Sequence, residues 1–432
     1  MFPTLGYLLS YLFGSDIHLG FPTFGFMMAL AFLGAATVLA SEIKRKQQLG
    51  IIPRLYQKEI IGLPASTQDL IGAAIFGFII AYKLVYAGLN FSDFFANPQF
   101  YILSSEGNTI AGVLGALIFG AKKYYDKKKT ALPQPKEEIR ELSPGEITGS
   151  ITMVAAISGI IGAKFFHYLE YPSQFINDPI GAIASAQGLT FYGGLIGGTI
   201  AVMWYVNKRG IKPMIIADCV APGLILAYAI GRIGCQLSGD GDWGVLNSAY
   251  RADATGNYRI VPKEQLKGDI ILYKEYYASN YNSPDDVDSR YLPKPAALAF
   301  LPDWMFAYNF PQNVLNEGVP INGCTGSYCS YLPIPVFPTA FYETLMGLLI
   351  FGLLWLFRKR IPQPGKLFCL YLILNGMERF TIEQIRVNVP YHLFGMNITQ
   401  AEIIAIVLVI IGISGFFLMD KLNNLFRKNA DA

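Results

Sequence analysis

The chain has 432 residues, 53% hydrophobic and only 15% charged, with a net charge of +3. That charge gives no argument for a nucleic-acid partner, and the apolar excess excludes an ordinary soluble domain. Several apolar runs approach the ~20 residues that cross the hydrocarbon of a bilayer, so an all-α integral membrane protein is expected.

In chain order, spans are expected at 21–41, 67–88, 107–124, 147–168, 189–207, 214–236, 338–357, 366–384 and 398–419. The N-terminal MFPTLGYLLSYLF has neither a basic start nor a small-residue cleavage site, so it does not read as a signal peptide. Lys44, Arg45, Lys46, Arg54 and Lys58 follow the first span, whereas 89–106 has no Lys or Arg. Lys122, Lys123 and Lys127 to Lys129 follow the third span, and 169–188 again has none. Lys208, Arg209 and Lys212, then Arg358, Lys359, Arg360 and Lys366, then Lys421, Arg427 and Lys428 continue the alternation. The positive-inside rule therefore puts the N-terminus outside and the C-terminus in the cytoplasm, as nine spans require. The expected divisions are 1–65 with the first span, 66–129 as a hairpin, 147–244 as core spans, 245–337 as an outer insertion, and 338–432 with three spans.

The hairpin is an internal duplicate. One ungapped register pairs Lys83 with Lys164, Ile79 with Ile160, Phe94 with Phe175, Pro98 with Pro179, Gly107 with Gly188, Gly112 with Gly193 and Tyr124 with Tyr205. Both copies run the same way, unlike the inverted repeats of many transporters. The first copy reads as scaffold, with Ala111 where the second has Tyr192.

In the second copy, Gly193 and Gly197 have the spacing of close helix packing. Tyr192 beside them is either an interfacial anchor or a site hydroxyl. His167, on the span before, reads as a hydrogen-bonded packing residue rather than a base. The next span closes on Gly231-Arg232-Ile233-Gly234-Cys235 and a loop through Asp240 and Asp242 to Trp243-Gly244. A guanidinium cannot shed its proton there, and mid-bilayer it costs at least ~2.5–3.5 kcal/mol. An arginine kept among glycines at that cost points to an anionic headgroup.

Residues 245–337 are polar and rich in Tyr, Asn and Pro, with an aromatic stretch from Trp304 to Phe310. Cys324 and Cys329 are candidates for a short disulfide in an oxidising compartment, worth about 2 kcal/mol. Cys219, Cys235 and Cys369 lie in or beside apolar spans and read as packing residues. Pro338 suits the start of the next helix, leaving Glu343 as an intramembrane carboxylate in need of a partner. Arg379, Glu383 and Arg386 follow at i, i+4, i+7, one helical face on which Glu383 can pair with either arginine. Two readings stand here: a structural Arg–Glu–Arg clamp, or a second cationic group facing the cavity of Arg232 and stabilising a departing phosphate.

These motifs together resemble the prolipoprotein diacylglyceryl transferase family. The resemblance rests on Gly231-Arg232-Ile233-Gly234 with its trailing Gly and acidic residues, Phe191-Tyr192-Gly193-Gly194-Leu195-Ile196-Gly197, and Pro338-Thr339-Ala340-Phe341-Tyr342-Glu343. It also rests on Arg379-Phe380-Thr381-Ile382-Glu383-Gln384-Ile385-Arg386, Asp218-Cys219-Val220-Ala221-Pro222 and Gln400, covering roughly 20–45 and 147–420. It implies a seven-span core, to which the hairpin and the enlarged outer loop are additions. It further implies transfer of a diacylglyceryl group from phosphatidylglycerol to the lipobox cysteine of a preprolipoprotein, with release of glycerol phosphate, in the bacterial inner membrane. Arg232 would bind the phosphate and Arg379 stabilise its departure. Tyr192 and Asp240 complete the candidate catalytic set, and Gly244, Glu343, Glu383 and Arg386 the substrate-binding set. Neither metal nor nucleotide cofactor is implied, and the attacking thiolate comes from the substrate.

The chain departs from the family pattern in five places. Tyr192 and Phe337 stand where the family has His, Cys235 where it has Asn, and Asn375 where it has Tyr; the signature loop is one residue longer, with Asp240 or Asp242 near the family's Glu. A phenol of pKa near ~10 is a poor base at neutral pH unless arginines depress it. Three proton routes stay open: a tuned Tyr192, an aspartate, or no dedicated base. The lost histidines leave a non-catalytic lipid- or lipoprotein-binding paralogue as the alternative, and an anionic-solute transporter behind it.

Overall fold

The computed structural model describes the chain except residues 97–100, 102–103, 178, 180–189, 254–255, 281–286, 389–390, 394–395 and 429–432. The aligned positions Pro98 and Gly188 of the repeat, and Leu189 at the start of an expected span, lie outside the described residues. The long helices are α1 (Leu5–Phe13), α2 (Thr23–Gln48), α3 (Thr67–Leu89), α4 (Thr109–Thr130), α5 (Pro144–Glu170), α6 (Phe191–Lys208), α7 (Pro213–Ser238), α8 (Thr339–Phe357), α9 (Lys366–Glu383) and α10 (Gln400–Lys428). By length and composition α2, α3, α5, α7, α8 and the Gln400–Asp420 part of α10 can each cross a membrane. The protein is therefore a mostly helical, multi-pass membrane protein. Helices α4, α6 and α9 cover the other three expected spans; lysines close α4, and Glu378, Arg379 and Glu383 interrupt α9. A count of nine does not follow from composition.

Glycine lets the hairpin helices touch. A Cβ on Gly77 of α3 would stand 2.6 Å from Phe119 Cβ of α4, and one on Gly193 of α6 2.6 Å from Phe166 Cβ of α5. At Gly197 it would meet Ser158 O at 2.9 Å, so the small-residue spacing is used as the sequence suggests. Each hairpin begins with a capping box, Ser66 with Asp69 and Ser143 with Glu146. Strand β1 (Tyr56–Ile61) pairs antiparallel with β2 (Lys136–Glu141), bringing the two ends of the α3–α4 unit together on the surface.

Helix α7 is the axis of the bundle. Over its most apolar window 56% of residues are buried, against 6% for α3. Leu39, Ile43, Ile147, Ile151, Ile215 and Ile216 join it to α2 and α5, and Ile225, Ile350, Leu354 and Leu367 join it to α8 and α9. Asp218 fixes its relation to α9: its carboxylate accepts the Gly365 and Phe368 amides at 2.9 Å each and pairs with Lys46 at 3.5 Å. A side chain of one helix thus caps the N-terminus of another. Cys219, Cys235 and Cys369 are buried free thiols.

Residues 245–337 carry a small core of their own, with Leu246, Ile270, Phe310, Ile334 and Val336 packed with Trp243 of the loop that follows α7. Arg251 and Asp269 form a buried ion pair within it. Cys324 and Cys329 are disulfide-bonded with their Cα atoms 5.6 Å apart. The N-terminal amine donates to Pro311 O at 2.8 Å, which ties α1 to this insertion.

Candidate functional site

The ends of α7, α8 and α9 nearest the insertion converge on one ionic cluster. Helix α7 stops at Gly239, left-handed at φ 64°, and Gly241 repeats the conformation at φ 93°. The two glycines turn the chain back, so that Asp242 faces Arg232. Helix α8 starts just after Pro338, which sets Glu343 one turn inside. Helix α9 supplies Glu378, Arg379 and Glu383, and Arg386 follows just beyond its end.

Glu343 is fully buried and is the hub. Arg386 Nη1 lies 3.1 Å and Arg379 Nη1 3.8 Å from its Oε1, while Arg232 Nε lies 3.2 Å from Oε2, off the hydrogen-bond axis. Asp242 forms a second bridge, its Oδ2 on Arg232 and its Oδ1 on Arg386. Glu383 holds Arg379 at 2.8 Å and accepts from Asn388 at 2.5 Å and Thr399 at 2.7 Å. Three guanidiniums therefore meet three carboxylates, which offsets the cost of keeping arginines at membrane depth. Burial pushes the Asp242 carboxyl up, but Arg232 and Arg386 outweigh it and hold it below the usual carboxylate range.

Tyr228 lies one turn before Arg232, its ring 5.2 Å from the guanidinium. Its hydroxyl oxygen is 2.9 Å from Glu343 Oε1 and 3.0 Å from Glu378 Oε1. One phenolic proton serves one of these contacts; the other needs a proton on the carboxyl itself. Glu343 faces three cations, so the arrangement expected is a hydrogen on Glu378, donated to Tyr228 while Tyr228 donates to Glu343.

The sequence profile of the prolipoprotein diacylglyceryl transferase family matches residues 130–418, about two thirds of the chain. The chain belongs to this family. Phosphatidylglycerol–prolipoprotein diacylglyceryl transferase of Corynebacterium diphtheriae is 26% identical over 62% of this chain and 76% of its own length. The enzyme of that name from Shouchella clausii is 26% identical over 65% and 77%, and that from Corynebacterium efficiens 28% over 62% and 67%.

In this diacylglyceryl transferase the structure brings together Arg232, Arg379, Arg386, Glu343 and Glu383, all singled out in the sequence. Two local expectations change. Arg386 is not on the helical face of Arg379 and Glu383, because α9 ends at Glu383. The chain then runs extended, Gly244 and Arg386 form a β-bridge, and Arg386 pairs with Glu343 and Asp242 rather than Glu383. Of the two loop aspartates, Asp242 meets the arginines, while the Asp240 carboxylate accepts the Asp242 amide at 3.4 Å. Cys235 Sγ, 3.8 Å from both Arg232 Nη1 and Asp242 Oδ2, joins the two aspartates in a group of metal-ligand type. Guanidiniums on both oxygens of Asp242 oppose a cation there.

Gly244 is a close backbone crossing. Its amide donates to Phe337 O at 2.9 Å, and a Cβ there would stand 2.8 Å from Thr339 Cγ2. Tyr192 sits on α6, which packs chiefly on α5, and 46% of it is exposed. Phe337 is buried and offers no proton-handling group. His167 shares a hydrogen with Gln174 at 3.1 Å. Sequence reasoning missed Tyr228 and Glu378. The signal for Glu378 was present, since an acidic residue inside an apolar span is costly and marks a site.

Proposed function

We propose that the protein transfers the diacylglyceryl group of phosphatidylglycerol to the cysteine thiol of a preprolipoprotein lipobox, the first step of lipoprotein maturation. The thiol gives up its proton to water, its sulfur bonds to the glyceryl carbon as that carbon's bond to the phosphate oxygen breaks, and glycerol phosphate leaves with the bonding electron pair. The observation that carries this is the cluster of Arg232, Arg379 and Arg386, partly buried at the end of a membrane bundle in a chain of this family. Preorganised cations of this kind favour the charge that grows on a departing phosphate. Arg232 and Arg386 present forked donors side by side, suited to the two non-bridging oxygens of a phosphodiester.

The protein would lie in the inner membrane with the cluster and the insertion on the outer side. The lysine- and arginine-rich segments at the other ends of the spans support that orientation, and the Cys324–Cys329 disulfide suits an oxidising compartment. Tyr192 would orient the substrate rather than take its proton, since it is the half-exposed residue of the set.

The test uses purified protein with phosphatidylglycerol and a lipobox peptide, and reads glycerol phosphate release. The parent releases it and Arg232→Ala does not. No release by folded parent protein rejects the transferase reading in favour of a lipid-binding paralogue, which Tyr192 and Phe337 at the family's His positions would then explain.

A further inference from the structure

Each guanidinium of the cluster already faces a carboxylate, so an incoming phosphodiester competes with those carboxylates for the arginine forks. Glu343 and Glu383 are badly placed to yield. Both side chains are 0% exposed, and each is held by neutral donors as well as arginine: Glu343 by Tyr228, Glu383 by Asn388 and Thr399. Asp242 differs on both counts. Its side chain is 34% exposed, and the described partners of its carboxylate oxygens are Arg232, Arg386 and the weakly donating Cys235 thiol. Its backbone is pinned, since Thr339 Oγ1 donates to Asp242 O at 2.9 Å and the Gly244 amide to Phe337 O at 2.9 Å. Side-chain rotation alone can therefore clear the two arginines without moving the loop. The carboxylate spends one oxygen on each arginine, as two non-bridging phosphate oxygens would.

We propose that Asp242 is a placeholder for the phosphate: its carboxylate spans Arg232 and Arg386, yields them to the phosphodiester, and returns to displace the phosphomonoester product. This rests on the reading of Arg232 as the phosphate ligand. Asp242 is thus a positioning residue that competes with substrate and speeds product release. The tension is useful, because a doubly charged product would otherwise bind the arginines more tightly than the singly charged lipid.

The test measures binding without acceptor peptide, so that nothing turns over. The ligands are phosphatidylglycerol in nanodiscs, against discs of phosphatidylcholine alone, and soluble glycerol 1-phosphate. D242N keeps the size and removes the charge; both ligands then bind about tenfold tighter, which is about 1.4 kcal/mol. With acceptor present, KM for phosphatidylglycerol falls and kcat falls with it, because release slows. D242E keeps the charge and binds close to the parent, and D242S replaces D242N if that variant does not fold. Unchanged or weaker binding by D242N and D242S overturns the proposal, since the carboxylate would then hold the arginines for the phosphate rather than in its place. A parent protein that binds neither ligand, or binds both undiminished as R232A, refutes the reading of Arg232, and this proposal falls with it.

Discussion

Glu378 and Glu343 are both buried, both glutamate, and both bonded to one phenol, yet the cluster geometry requires opposite responses to the same substitution. Glu378→Gln replaces a neutral acid by a neutral amide of the same shape. The amide can donate to Tyr228 as the carboxyl does, so stability should change by about 1 kcal/mol or less. Glu343→Gln removes the charge facing guanidiniums at 3.1, 3.2 and 3.8 Å. At an effective dielectric of about 20, each of the two short contacts has a gross attraction of about 5 kcal/mol. Desolvation cancels much of that, and breaking such a buried pair costs about 3–5 kcal/mol, because the arginines stay behind uncompensated.

The assay is denaturant unfolding in detergent followed by tryptophan fluorescence, run on both variants beside glycerol phosphate release. Glu378→Gln should unfold near the parent and keep most activity; Glu343→Gln should unfold early and lose it, as Arg232 and Arg386 drift from their common carboxylate. Infrared spectroscopy reads the proton directly. The carbonyl stretch of a protonated carboxyl should disappear in Glu378→Gln and persist in any folded Glu343→Gln. Equal destabilisation by the two changes, or a band that survives Glu378→Gln, would show that Glu378 is ionised and would refute the hydrogen-bond assignment.

Gly244→Ala should cost about 1–3 kcal/mol by overpacking against Thr339 and Phe337, seen as a lower unfolding midpoint, while parent-like stability would mean the crossing has slack. Tyr192→Phe should raise KM for the acceptor peptide and leave the pH dependence of kcat unchanged; loss of a titrating step would instead make the phenol a base. Excision of residues 63–131, joining β1 to β2 by a two-residue turn, should leave phosphatidylglycerol-dependent release intact. The Leu132 amide already donates to Gly62 O at 3.0 Å across that gap, and loss of activity in a folded protein would give the hairpin a part in the reaction.

The cluster was legible as a set because ionisable side chains are scarce in apolar spans, so Arg232, Glu343, Arg379, Glu383 and Arg386 each announce a cost that needs a partner. The pairing was not legible, because it depends on where α9 stops and how the α7 loop turns. Helical spacing puts Arg386 with Glu383, but the extended chain after Glu383 carries Arg386 across to Gly244 and the neighbouring Asp242. Likewise Asp240 and Asp242 are equivalent in sequence, and two left-handed glycines decide which one faces the arginines. Tyr228 reads as an ordinary interior aromatic until Glu343 and Glu378 are seen on either side of its hydroxyl.

The α3–α4 hairpin shows what such a cluster requires. It has the same kind of glycine contact as α5–α6, yet Ile71, Phe76, Ile79, Leu84, Leu117 and Ile118 are all more than half exposed. In a bilayer that surface meets lipid tails at no cost, so close packing of two helices is sufficient for the pair. The one lysine within α3, Lys83, is served by loop carbonyls rather than a carboxylate: its Nζ donates to Tyr101 O at 3.0 Å and Glu106 O at 2.8 Å. The arginines instead sit where α7, α8 and α9 meet and a returning loop adds Asp242. Three helices and a loop together supply a carboxylate for each guanidinium of this cluster.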